Sequence, residues 1–396
     1  MSRSRITLSC IIYWMLICLG GCGVATEQER PPKEQEESAT GQEWLSENPV
    51  DISQAVEISL VTGAEELNNL LQVDCRLKRG EIDAQTGIYT EIGEFARNEN
   101  TIFYVKYYGR DGAQNYHLSQ IYRYDSDSEE DILLYETAEG VWLNEFGANS
   151  AYLYWVEYIY SEEQQIYNVM QYNLSTEGVS CIASRKASES NEICLAVSEN
   201  YVTWYDGLGD SNLEIAIYDV AKQELQRIQE ETVKIFAPYV RLHVVDGGIT
   251  YFTQDAEDRI FIHRYNLETK QTDILYLGEA NVDTKLAECY SSKNYIAWLT
   301  EYSFGTYYFY HIESGKLYSL HQTDELRVFS GWLSDCFYVN DSVSGRIYAY
   351  DFGTEKIYYQ NIAQGLGLSL RPYGEKLYMK VVGDENVEML TISTNF

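Results

Sequence analysis

The stretch Tyr201-Val-Thr-Trp-Tyr-Asp206, with Ile215-Ala-Ile-Tyr-Asp-Val220 close behind it, decides the fold. Both pieces are short, apolar and rich in β-branched and aromatic residues, which suit a pleated, half-buried surface. The first piece recurs as Ile102-Phe-Tyr-Val105, Tyr152-Leu-Tyr-Trp155, Ile249-Thr-Tyr-Phe252, Tyr295-Ile-Ala-Trp298, Cys336-Phe-Tyr-Val339 and Lys376-Leu-Tyr-Met379, with starts 40–50 residues apart. The second recurs with the endings Tyr124-Asp125, Tyr172-Asn173, Tyr218-Asp219, Tyr265-Asn266, Tyr310-His311 and Tyr350-Asp351, and more weakly Ile392-Ser393. Two series that stay in step over so much chain are the mark of a repeat architecture.

Each unit holds two further strand candidates. One precedes the first series, at 142–146, 193–197, 240–245, 286–290 and 327–332. The other follows the second series, at 132–136, 179–183, 224–228, 272–277, 316–320 and 356–360. Turn residues separate them, as in Asp246-Gly247-Gly248 and Ser314-Gly315. Four strands per 40–50 residues, repeated, predict an all-β chain folded as a β-propeller of four-stranded blades. The count is seven, with six or eight if the first or last unit is irregular. The seventh unit lacks a fourth strand. An N-terminal strand from 56–61 or 70–75 is expected to supply it, closing the ring and covering its edge.

The motifs Tyr201–Asp206 and Ile215–Val220 resemble the repeats of TolB-like propellers of bacterial exported proteins. Leu267-Glu-Thr-Lys-Gln271 and Ile312-Glu-Ser-Gly-Lys316 resemble the hairpin that follows in such repeats. The resemblance covers about 93–394 and implies an architecture. It implies no activity, because propellers serve as scaffolds, receptors and enzymes alike. No separate N-terminal α/β domain of the TolB kind is read here, so a role in the Tol–Pal system does not follow.

The N-terminus predicts an exported protein. Arg3 and Arg5 precede a short apolar core ending at Leu19, built like a secretory signal over 1–21. At roughly 14 residues the core falls short of the ~20 that span a bilayer. Leu19-Gly20-Gly21-Cys22 resembles a bacterial lipobox. The resemblance implies cleavage before Cys22 and a diacylglycerol on its sulfur, which supplies the two chains stable anchoring needs. Residues 22–45 then read as the lipidated cysteine and a disordered tether, and 46–396 as the propeller domain. The expected location is the outer face of the cytoplasmic membrane, or the outer membrane in a diderm.

Composition narrows the partners. Lys and Arg number 29 against 61 Asp and Glu, a net charge of −32, which repels phosphate backbones and argues against nucleic acid. Beyond the signal and Cys22 stand Cys75, Cys181, Cys194, Cys289 and Cys336, an odd number at wide spacing with no C-x-x-C pair. Most lie in apolar runs, where free cysteine acts as a small hydrophobe.

Chemistry-bearing motifs are scarce. The chain has no H-E-x-x-H, G-x-S-x-G or P-loop pattern. No metal or cofactor site is read: the acidic run Asp125–Asp131 lacks the glycine of a Ca²⁺ loop. Trp155, Trp204 and Trp298 recur at one register of one strand and are expected to pack between blades. Trp142 and Trp332 fall in the innermost-strand series, and Arg241, His243 and Arg371 in the same series. These five are the candidate ligand-binding residues of a channel mouth. The sequence thus predicts a membrane-anchored, non-enzymatic scaffold for a protein or peptide. The alternative is a cell-surface protein that binds or cleaves polysaccharide at the channel mouth.

Overall fold

Five hairpins of one design punctuate the structure. In each, the residue closing one strand is followed four positions later by a residue in the left-handed region. The pairs are Asn173 and Glu177, Asp219 and Gln223, Asn266 and Lys270, His311 and Gly315, and Asp351 and Glu355. Asn173 Oδ1 accepts from the amides of Ser175 and Thr176, and Asn266 Oδ1 from those of Glu268 and Thr269. Such side-chain acceptors fix a tight turn before the next strand begins.

A computed structural model of the chain describes residues 35–36, 42–46, 48–60, 63–80, 88–99, 101–110, 116–125, 128, 130–160, 165–186, 193–208, 212–231, 242, 244–245, 247–279, 288–300, 305–321, 328–333, 335–341, 344–362, 366–373 and 376–392. All of them belong to the unit Lys33–Phe396, and the expected signal and Cys22 lie outside the described residues. Among the described residues the one helix is a 3-10 turn, Ile52–Gln54.

Five short strands come first: β1 (Gln35–Glu36), β2 (Gln42–Ser46), β3 (Val56–Glu57), β4 (Glu65–Glu66) and β5 (Leu71–Lys78). The blades follow in chain order. Blade 1 is β6 (Ile88–Arg97), β7 (Ile102–Arg110), β8 (Tyr116–Asp125) and β9 (Glu130–Glu136). Blade 2 is β10 (Val141–Ala148), β11 (Tyr152–Tyr160), β12 (Gln165–Asn173) and β13 (Val179–Lys186). Blade 3 is β14 (Ala196–Val197), β15 (Tyr201–Leu208), β16 (Asn212–Asp219) and β17 (Glu224–Glu231). Blade 4 is β18 (Val244–Val245), β19 (Gly248–Gln254), β20 (Arg259–Asn266) and β21 (Thr272–Glu279). Blade 5 is β22 (Glu288–Ser291), β23 (Tyr295–Leu299), β24 (Thr306–His311) and β25 (Leu317–His321). Blade 6 is β26 (Val328–Leu333), β27 (Cys336–Asp341), β28 (Arg346–Asp351) and β29 (Lys356–Asn361). Blade 7 is β30 (Leu366–Tyr373), β31 (Lys376–Val382), β32 (Asn386–Ile392) and the N-terminal β5. These seven antiparallel four-stranded sheets form a ring, a seven-bladed β-propeller.

The core lies between blades rather than at one centre. Second strands are covered on both faces, so β19 and β23 are buried along their whole length. Apolar clusters join blade 1 to 2, 2 to 3, 3 to 4 to 5, 5 to 6, 6 to 7 and 7 to 1. Trp155, Trp204 and Trp298 sit in them with 2% exposure or less.

β5 closes blade 7 by pairing antiparallel with β32, from Leu71 against Ile392 to Lys78 against Asn386. This is the later of the two expected closing segments. The earlier one, Val56–Glu57, does something else. It joins a belt in which β1, β2, β3 and β4 lie parallel on the outer strands of blades 3, 4, 5 and 6 in turn. Gln35 pairs with Gln226, Gln42 with Thr272, Val56 with Tyr318 and Glu65 with Tyr358. Backbone bonds outside the strands extend it: Ile58 N–H donates to Ser319 O at 2.7 Å and Leu67 N–H to Tyr359 O at 2.8 Å. Residues 35–36 and 42–45 fall in the stretch read as tether, so the propeller's pairing reaches further toward the N-terminus than composition suggests.

Candidate functional site

The five residues expected at the channel mouth do not form one group among the described residues. Trp332 corrects that expectation. It is 2% exposed and packs among Tyr295, Phe309, Phe337 and Phe352, its ring stacked 5.3 Å from Phe352. Its strand is innermost, but the side chain turns into the space between blades 5 and 6, where no face is left for a sugar. Trp142 is half-buried, 5.6 Å from Tyr158, and borders the clusters on both sides of blade 2. Its indole nitrogen is buried without a hydrogen-bond partner among the described residues. Arg371 pairs with Tyr378 across β30 and β31. Arg241 and His243 lie outside the described residues.

Two acidic centres between blades were not foreseen. Glu157 of β11 accepts from Trp155 Nε1 at 3.0 Å and from the hydroxyl of Tyr135, in blade 1, at 2.7 Å. Asp206 of β15 accepts from Trp204 Nε1 at 3.2 Å, from the Tyr167 hydroxyl of blade 2 and from Arg227 Nε at 2.8 Å. Arg185 of blade 2 stands 3.4 Å from Asp206 and 3.0 Å from Glu214. Burial pushes the Asp206 carboxyl up, against the pull of Arg227. Each carboxylate is spent on donors from two blades and is sealed from solvent. That describes a joint, not a general acid waiting for substrate. The signal in the sequence is Trp-x-acid, in Trp155-Val-Glu157 and Trp204-Tyr-Asp206.

The other reactive side chains are quiet. His263 stacks 4.8 Å from Tyr251, and its Nε2 meets Thr253 Oγ1 at 2.8 Å. Burial lowers its pKa to about 4, so the ring is neutral. Cys75, Cys181 and Cys336 are free thiols, and burial raises those of Cys75 and Cys336 to about 12, which keeps them protonated and poor nucleophiles. Among the described residues no cluster of three or more His, Cys, Asp or Glu is placed to hold a metal.

The exposed apolar side chains are more informative. The large ones among the described residues are Trp44, Ile52 and Val56 on the N-terminal segment, Val73 on β5, Ile132 and Leu133 on β9, and Tyr160 and Val179 in blade 2. None lies on a strand of blades 3–6, whose outer edges the belt covers. The arc of blades 7, 1 and 2, whose outer strands no described segment covers, carries the other five. This arc is the candidate interaction surface.

Comparison with family models and with curated protein sequences finds no match. Solved structures do resemble the chain. A chain in the crystal structure of a mitotic checkpoint complex matches with a TM-score of 0.50 at 12% identity, covering 84% of this chain and 98% of that one. BamB from Moraxella catarrhalis matches with 0.44 at 10% identity, over 82% and 98%. TolB from Acinetobacter baumannii matches with 0.34 at 11% identity, over 70% of this chain and 60% of that one. At such identities the likeness is one of fold. The class is the seven-bladed β-propeller.

Proposed function

We propose that the protein is a lipid-anchored, extracytoplasmic scaffold whose propeller holds a protein or peptide partner. The diacylglycerol on Cys22 would carry it at the outer face of the cytoplasmic membrane, or at the outer membrane in a diderm. The observation that carries the reading is the distribution of exposed apolar side chains. Five of the eight large ones among the described residues lie on blades 7, 1 and 2, whose outer strands no described segment covers, while the buried acids Glu157 and Asp206 are used in joining blades. Exposed apolar groups gathered on one side of a surface mark a site of interaction. The polysaccharide reading loses Trp332 to the core.

The test is in cells that make the protein. Palmitate labelling, membrane fractionation and crosslinking with mass spectrometry would compare wild type with Cys22→Ala. The expected result is label and membrane retention lost in the variant, with one abundant protein partner captured by the wild type. Label that survives Cys22→Ala would overturn the anchor. Capture of no protein, or turnover of a polysaccharide by the purified protein, would overturn the scaffold.

A further inference from the structure

We infer that β9, the outer strand of blade 1, accepts an extended segment of the partner protein as a fifth strand, one that carries basic residues among apolar ones. The inference rests on the scaffold reading and deepens it. The ring itself shows what such edges take: blades 3, 4, 5 and 6 each have an extended segment lying parallel on the fourth strand. Blades 7, 1 and 2 have none among the described residues, and blade 1 stands in the middle of this bare arc.

Burial separates β9 from every other outer strand. In the covered blades every fourth strand has buried residues, most fully β25, where Leu317, Tyr318, Ser319 and Leu320 are all buried, and least β29, with two of six. No residue of β9 is buried, and five of its seven are exposed. In β13 and β5 two residues each are buried. Ile132 and Leu133 are 37% and 49% exposed at adjacent positions, so they present apolar surface on both faces of the edge. An edge strand with a row of unpaired backbone groups and exposed aliphatic side chains is a template for strand addition, in which backbone bonds give affinity and side-chain contacts give selectivity.

Charge chooses the occupant. Glu130, Asp131 and Glu136 flank the two aliphatic residues, all exposed. The described cation nearest Asp131 is Lys106, 3.9 Å away. A second copy of the same edge would set acid against acid, which disfavours pairing between copies. A segment with lysine or arginine beside valine or isoleucine meets both features.

The experiment uses the full lipidated chain in detergent and two nine-residue peptides, one alternating Val with Lys and one alternating Val with Glu. Hydrogen exchange reports where each peptide binds, and fluorescence anisotropy reports how tightly. The Val-Lys peptide is expected to slow exchange across 130–136 and to bind at least tenfold tighter than the Val-Glu peptide. Leu133→Lys should weaken it at least tenfold with an unchanged melting transition, and Val179→Lys should leave it unchanged. Equal binding of the two peptides, protection at β5 or β13 instead, or no protection at all would overturn the proposal. So would β9 amides already protected without peptide; dilution then tells a second copy from the chain's own residues 22–34. A cellular partner still captured by Leu133→Lys would overturn the edge and leave the scaffold standing.

Discussion

Trp204 donates its indole N–H to Asp206 at 3.2 Å, and one blade earlier Trp155 makes the same bond to Glu157 at 3.0 Å. In both cases a tyrosine of the preceding blade donates to the same carboxylate. The pattern turns a repeated tryptophan into a polar rivet between blades. Asp206→Ala would take an acceptor from Trp204, Tyr167 and Arg227 at once, although Glu214 Oε1 stays 2.8 Å from Arg227 Nε. A buried donor left unmet costs about 1–3 kcal/mol. We expect a loss of that order in the denaturant midpoint, and a smaller loss for Asp206→Asn, which keeps the acceptor oxygen.

The five hairpins give a paired prediction. Gly315 has φ +67°, and an added Cβ would meet only the Tyr310 hydroxyl, at 3.6 Å. Space is therefore available and the cost of Gly315→Ala is conformational, about 1–2 kcal/mol. Gln223 holds φ +55° at the equivalent position of blade 3 and is exposed. Gln223→Gly should relieve that strain, offset in part by the greater freedom of glycine in the unfolded chain, and gain about 0.5 kcal/mol. Thermal unfolding of the two variants should move in opposite directions.

His263 predicts an acid-side loss of stability. Burial lowers its folded pKa from 6.5 to about 4, so the unfolded chain binds the proton more readily. The stability it contributes is present above pH 6.5 and is lost as pH falls toward 4, by at most about 3 kcal/mol at 1.36 kcal/mol per unit. Asp206 acts in the opposite sense, since its carboxyl is raised and the fold favours its proton. His263→Gln should therefore flatten the histidine component alone. The check is the difference between wild-type and variant unfolding free energies from pH 7 to 4.

Ring closure has its own joint. Arg97 of β6 stands 2.8 Å from Asp74 of β5, both nearly buried, and lies over the Tyr378 ring at 5.1 Å. Thr391 of β32 donates to the same Asp74 carboxylate. Arg97→Ala should cost about 3 kcal/mol, because Asp74 would keep a buried charge without its cation. Hydrogen exchange should quicken in β5 and stay slow in β23.

The blades were legible because their two middle strands carry dense aromatic and β-branched runs at a steady interval. Innermost strands were less so. β14 is two residues, where the apolar run 193–197 suggests more. Trp332 was misplaced for a related reason: position in an innermost strand does not say which way a side chain leaves it. The belt left almost no mark. Val56–Glu57 and Glu65–Glu66 are too short for a period, and their pairing is made by backbone groups that any residue carries. The acids at 157 and 206 were hidden by abundance, among 61 carboxylates.

The belt also bears on the order of folding. Gln35 finds its partner at Gln226, and Leu71 at Ile392, so each early strand waits for a blade that is made much later. Pairings so distant in sequence are slow to form, because the loop they close must be ordered before any contact rewards it. The blades can zip locally, hairpin by hairpin. Each part of the segment that covers their edges docks only once its blade has formed, and until then the edges of blades 3–6 are as open as those of blades 1 and 2 among the described residues.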